Sequence, residues 1–162
     1  LKIKHTLNKI NLLINLCSLI LAERNIIFAL KNKIKTQMTE NELSYKIIGS
    51  ALEVHRNLGV GLLENTYEQA LAYELKKSGL NVKQQLYLPL KYKEVNIENA
   101  YKVDLILENK VIVEIKSVLE IHPIFHSQLL TYLKLTNLKL GLLINFNIPL
   151  IKDGIHRIVN NL

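Results

Sequence analysis

Val103-Asp-Leu-Ile-Leu-Glu108-Asn-Lys-Val-Ile-Val113-Glu-Ile-Lys116 reads as two apolar strands folded back on each other. Side chains two apart in a strand share a face, so Glu114 and Lys116 project together while Val113 and Ile115 project the other way. Glu108-Asn109-Lys110 supplies the turn, because Asn tolerates the left-handed backbone that tight hairpins need. With the turn centred on Asn109, Asp104 stands opposite Glu114. Two carboxylates and an ammonium then converge on one point, which costs several kcal/mol in desolvation and repulsion unless a cation joins them.

That constellation points to a chemistry. Two carboxylates can hold a hard cation such as Mg²⁺, with Mn²⁺ as a substitute, whose remaining ligands are waters and substrate phosphate. Asp104 and Glu114 are the candidate metal ligands. Lys116 is the candidate electrostatic helper, orienting water or offsetting charge in the transition state. Glu-x-Lys alone is an ordinary strand ion pair; the addition of Asp104 makes it a candidate catalytic cluster.

Outward from the hairpin, the texture alternates in type. Leu43, Ile47, Ile48, Ala51, Leu52 and Val54 recur at helical spacing between Asn41 and Leu58, with Gly59 as the stop. Thr39-Glu40-Asn41-Glu42 reads as the capped opening of that helix. A second helix is predicted from about Leu62 to Ser78, closed by Gly79. Val82–Tyr92, Ala100–Leu107 and Val111–Lys116 are strand-like runs rich in Val, Ile, Leu and Tyr. Ile124–Thr136 returns to helical spacing, Lys139–Phe146 reads as a buried strand, and Gly154–Val159 adds a short edge strand. The order α-α-β-β-β-α-β predicts an α/β fold, a mixed central sheet flanked by helices.

These residues carry a resemblance. Asp104, nine intervening residues, then Glu114-Ile-Lys116 on a hairpin resembles the signature of the PD-(D/E)XK nuclease superfamily, with Val103 in place of the nominal Pro. Gly61-Leu-Leu-Glu64-Asn-Thr-Tyr67 is similar to the pattern that names the GxxExxY family. Gln128-Leu-Leu-Thr-Tyr132 resembles the QxxxY motif of exonuclease-like branches, and Gly141-Leu-Leu-Ile-Asn145-Phe146 and Gly154-Ile-His-Arg157-Ile-Val share the GxxExxY texture. The resemblance covers residues 41–162. It implies a restriction-endonuclease-like core of one helix, three strands, a helix and a strand, and a metal-dependent nuclease acting on nucleic acid, DNA ahead of RNA. Glu64 and Tyr67 share a helix face, so Glu64 becomes an accessory carboxylate and third metal ligand. Gln128 and Tyr132 share a face of the later helix; the Gln128 amide is expected to bond a metal-bound water, a ligand carboxylate or substrate phosphate. The alternative is a catalytically silent module on the same fold that binds nucleic acid or protein. Small nucleases of this kind often pair, so a homodimer or larger complex is a further expectation.

Composition narrows the rest. The 162 residues carry a net charge of +7, but residues 1–37 hold seven Lys/Arg against Glu23 alone, leaving fourteen basic and thirteen acidic residues for 38–162. Net charge therefore argues nothing about nucleic acid in the main domain. Met38, directly before the capped helix, is the expected start, with residues 1–37 as a leading segment outside the native domain. Ile10–Ala22 is too short to span a bilayer, and no membrane partner is expected for 38–162. Cys17 is the only cysteine, which excludes an intrachain disulfide and a cysteine zinc site and fits a reducing, cytoplasmic setting. Gly59-Val-Gly61 lies between helices, without the strand a phosphate-binding loop requires. His122 and His126 have a zinc-compatible spacing, but Pro123 between them argues against one regular helix, so His126 is expected at the cleft rim or in solvent. His55 and His156 have no evident partners in sequence.

Overall fold

Thr39 caps the first helix with a capping box: Glu42 N–H donates to Thr39 Oγ at 3.3 Å and Thr39 N–H donates to Glu42 Oε2 at 2.8 Å. In the computed structural model the described residues are 38–162 together with Glu23 and Arg24; the expectations about residues 1–37 lie outside them. Helix α1 (Glu40–Leu58) buries Leu43, Ile47, Ala51 and Val54 at helical spacing and ends at Gly59, whose φ of +68° glycine adopts freely. Helix α2 (Glu64–Lys77) buries Tyr67, Leu71 and Leu75. The Tyr67 hydroxyl clips the loop between the helices, donating to Gly59 O at 2.8 Å and accepting from Leu62 N at 3.2 Å.

Five strands follow, interrupted by one helix. They are β1 (Val82–Tyr92), β2 (Val95–Leu107), β3 (Val111–Lys116), β4 (Leu140–Asn145) and β5 (Ile155–Val159), with helix α3 (Pro123–Thr136) between β3 and β4. The sheet order is β1-β2-β3-β4-β5, and only β3 and β4 run parallel. The crossover through α3 makes that parallel pair possible. A short 3-10 turn, Ile151–Gly154, leads into β5. This is the α/β order expected from sequence, edge strand included.

Boundaries shifted where long-range pairing decided them. Strand β2 starts at Val95 rather than Ala100, because a tight turn with Lys93 at φ +53° folds the chain directly onto β1. Helix α2 starts at Glu64 rather than Leu62, since the Tyr67 clip holds Leu62 in the loop.

The sheet separates two apolar layers. Toward α1 and α2 lie Leu105, Leu107, Val111, Val113, Ile115, Leu140, Leu142 and Ile144; toward α3 lie Ile106, Ile112 and Leu143, against Leu129, Tyr132 and Leu133. Burying each such side chain contributes about 1.5–3 kcal/mol. Residues 38–162 form one compact unit, and no helix among the described residues is long and apolar enough to cross a membrane.

Candidate active site

The β2–β3 ladder pairs Leu107 with Val111, Ile106 with Ile112 and Leu105 with Val113, and ends there. Continuing that register sets Asp104 across from Glu114. The alternation of β2 breaks at the same point: Leu105 packs toward α1 and α2, yet Val103, two residues away, packs toward α3. Asp104 therefore sits in a fork of the sheet, and its Oδ2 accepts the Ile115 N–H at 2.9 Å.

On β3, Ile112 faces α3, so Glu114 and Lys116 share that face by the two-residue period. Lys116 Nζ donates to Glu114 Oε1 at 2.7 Å, with side chains only 11% and 4% exposed. The ammonium also lies 5.2 Å from the centre of the Phe125 ring on α3. Glu114 Oε2 is buried and lacks a hydrogen-bond partner. Burial, then repulsion from Asp104, pushes the Glu114 carboxyl up to about 7, against the opposing attraction of Lys116. Burial likewise raises the Asp104 carboxyl, opposed by the Ile115 N–H and by Lys116.

Accessory groups reach this point from both layers. Glu64, the first residue of α2, accepts the Ser117 N–H at 3.2 Å, and Ser117 Oγ donates to Leu62 O at 2.6 Å, tying the end of β3 to the α1–α2 loop. Its negative charge opposes ionisation of both Asp104 and Glu114. From α3, Tyr132 is nearly fully buried; burial, then the nearby Glu114 charge, pushes its hydroxyl up to about 12. Gln128 donates to the Tyr132 hydroxyl. The amide expected to reach a ligand carboxylate or phosphate is thus engaged within its own helix. Asn145, across from Lys116 on β4, holds the chain beyond β3 by accepting from Val118 N at 3.1 Å and donating to Val118 O at 2.8 Å.

Two polar residues of this site escaped the sequence reading. Glu68, one helical turn after Glu64, is 3% exposed, and burial raises its carboxyl. Its i+4 spacing from Glu64 was the available signal. Gln85, across β1 from Asp104 in register, donates from Nε2 to Glu68 and, at 3.4 Å, to Asp104 Oδ1. Nothing in the local sequence marks it.

The histidines do not form a zinc pair with one another as spaced. His122 caps α3 through Nδ1, which accepts the Ile124 N–H at 3.2 Å. His126, expected at the rim or in solvent, is half-buried edge-to-face with His156, ring centres 5.0 Å apart. His55 Nε2 lies 2.8 Å from Ile148 O.

A model of the PD-(D/E)XK nuclease superfamily matches residues 41–158, from the first turn of α1 into β5. The chain belongs to the PD-(D/E)XK nuclease superfamily. No curated protein and no solved structure matches it. The superfamily's name fits the forked hairpin, with Asp104 on one prong and Glu-x-Lys on the other. Among the described residues no group of three His, Cys, Asp or Glu side chains converges closely enough to hold a metal ion. The donor chemistry nonetheless suits a hard divalent cation: Asp104 and Glu114 are adjacent carboxylates, and the buried Glu114 Oε2 has no other partner. Two carboxylates suffice for Mg²⁺, which keeps several waters and borrows phosphate oxygens.

Proposed function

We propose that this superfamily member is a Mg²⁺-dependent nuclease of the GxxExxY branch that hydrolyses nucleic-acid phosphodiesters, DNA ahead of RNA. The observation that carries the reading is the partnerless, buried Oε2 of Glu114 beside Asp104 and Lys116. Uncompensated, such an oxygen costs several kcal/mol; a cation would offset it.

Asp104 and Glu114 would hold the ion, and Glu64 would approach as the accessory carboxylate. When bound, the ion would polarise the phosphoryl oxygen and lower the pKa of an attached water. The Ile115 N–H fixes one oxygen of Asp104, so the ligand geometry is set before substrate arrives. Lys116, anchored by Glu114 and Phe125, presents positive charge where the phosphoryl group would gain negative charge. Tyr132, kept neutral to high pH, adds no charge on the α3 side of Glu114.

The GxxExxY motif makes physical sense here. Gly61 adopts φ +91° in the interhelical loop, Glu64 opens α2 toward the site, and Tyr67 pins the loop between them.

The test is cleavage of single- and double-stranded DNA and RNA by the full chain with Mg²⁺ or Mn²⁺, alongside Lys116→Ala. Metal-dependent cutting that falls by roughly 10²-fold or more in Lys116→Ala supports the nuclease. Well-folded protein that binds nucleic acid but never cuts it replaces this reading with the silent binding module.

A further inference from the structure

Gln85 is the conformational outlier of the sheet near the site. It has φ +54° inside β1, a left-handed backbone that glycine enters freely and a long side chain does not. Its neighbours Gln84 and Leu86 pair with Leu105 and Val103 of β2, so the irregularity sits directly opposite Asp104. If the backbone bend were the only need, glycine or asparagine would supply it with less strain. The side chain at this position has a specific use instead: one amide nitrogen donates to both Glu68 and Asp104.

Those two carboxylates come from different elements, α2 and β2. Glu68 is 3% exposed and has a second donor, Gln84 Nε2 at 3.3 Å. Asp104 has the Ile115 N–H on its other oxygen. The Gln85 amide is thus the direct bridge between the Glu68 side chain and the Asp104 oxygen that Ile115 leaves free.

We infer that Gln85 is a positioning residue, its strained backbone holding the amide between Glu68 and Asp104 so that Asp104 is pre-oriented to bind a divalent cation. The inference rests on the metal-binding reading above and adds to it a residue that touches neither phosphate nor cation. It also assigns Glu68 a role, as the buried anchor for the other side of the amide. A left-handed residue persists inside a strand only where surrounding contacts over-determine it, and strain of this kind concentrates at sites that depend on geometry.

Two substitutions separate positioning from stability. Gln85→Gly removes the amide and the backbone strain together; Gln85→Met keeps the length and the strain but cannot donate. Calorimetric titration of the full chain with Mn²⁺ alone, without nucleic acid, reads the ligand geometry directly, and thermal melting is recorded on the same samples. Both variants are expected to bind Mn²⁺ about tenfold more weakly, while Gln85→Gly melts no lower than the parent. In cleavage assays the metal concentration for half-maximal rate rises by a similar factor, with substrate KM unchanged. Parent-like Mn²⁺ affinity in Gln85→Gly overturns the inference and leaves the nuclease reading standing. A parent protein that takes up no Mn²⁺ overturns both.

Discussion

Asp104 Oδ2 accepts the backbone N–H of Ile115 at 2.9 Å, just past the last paired residues of the β2–β3 ladder, Leu105 and Val113. One carboxylate thereby both stitches the fork and faces the site. The two roles can be separated, because an amide oxygen accepts the same N–H without carrying charge.

Asp104→Asn is accordingly expected to fold, since it keeps the Ile115 N–H acceptor and removes a buried charge, while its amide nitrogen gives up the acceptor that Gln85 uses. Asp104→Ala loses the acceptor and should cost about 1–3 kcal/mol. Both should lose metal-dependent cleavage. Urea unfolding and a cleavage assay measured side by side decide it; an Asp104→Asn protein that cuts like the parent removes Asp104 from the ligand set.

Glu114 makes the metal-free protein pH-sensitive. Its folded carboxyl is raised to about 7 from an ordinary 4.5, chiefly by burial and then by Asp104, so the folded state holds a proton that the unfolded state has released. Stability from this group is fully present below about pH 4.5 and is lost as pH rises through 7, amounting to no more than about 3 kcal/mol. Denaturant unfolding in a metal chelator from pH 5 to 8 should show the decline, and Glu114→Gln should flatten it. A slope unchanged by that substitution would place the titration elsewhere.

The Tyr67 hydroxyl serves the loop while its ring serves the core, stacked on Phe146 with centres 4.6 Å apart. Tyr67→Phe keeps the stack and deletes only the clip. The expected loss is about 1–2 kcal/mol, read by urea unfolding. No measurable loss would mean that water replaces the hydroxyl.

Gly141 lets α3 approach β4. A Cβ there would lie 2.8 Å, 2.9 Å and 3.0 Å from three side-chain carbons of the fully buried Leu129. Gly141→Ala should destabilise by about 1–3 kcal/mol. Combined with Leu129→Ala it should cost less than the two changes summed. Strict additivity in unfolding measurements would show that Leu129 simply moves aside.

The helices were legible because each carries its own signals: a capping box at Thr39 and Glu42, Pro123 at the start of α3, and glycines after α1 and α2. The hairpin was legible because Asn109 marks its turn, and Glu108 joins it at φ +50° under two contacts with Asn81. The Gln128 motif specifies a helix face and not the group that face meets; the partner of its amide nitrogen is Tyr132, one turn along. His126 and His156 are thirty residues apart and meet only because α3 packs against the edge of β5.

Local periodicity and turn chemistry were enough to determine the α/β order and to bring Asp104, Glu114 and Lys116 to one hairpin, since register follows from a turn whose position the residues declare. Tertiary structure alone decided the fork at Asp104, the left-handed Gln85, the burial of Glu68 and the partnerless oxygen of Glu114. Each depends on which surfaces are removed from water and which strands stop pairing. Those are properties of contacts between distant segments, and no window of neighbouring residues contains them.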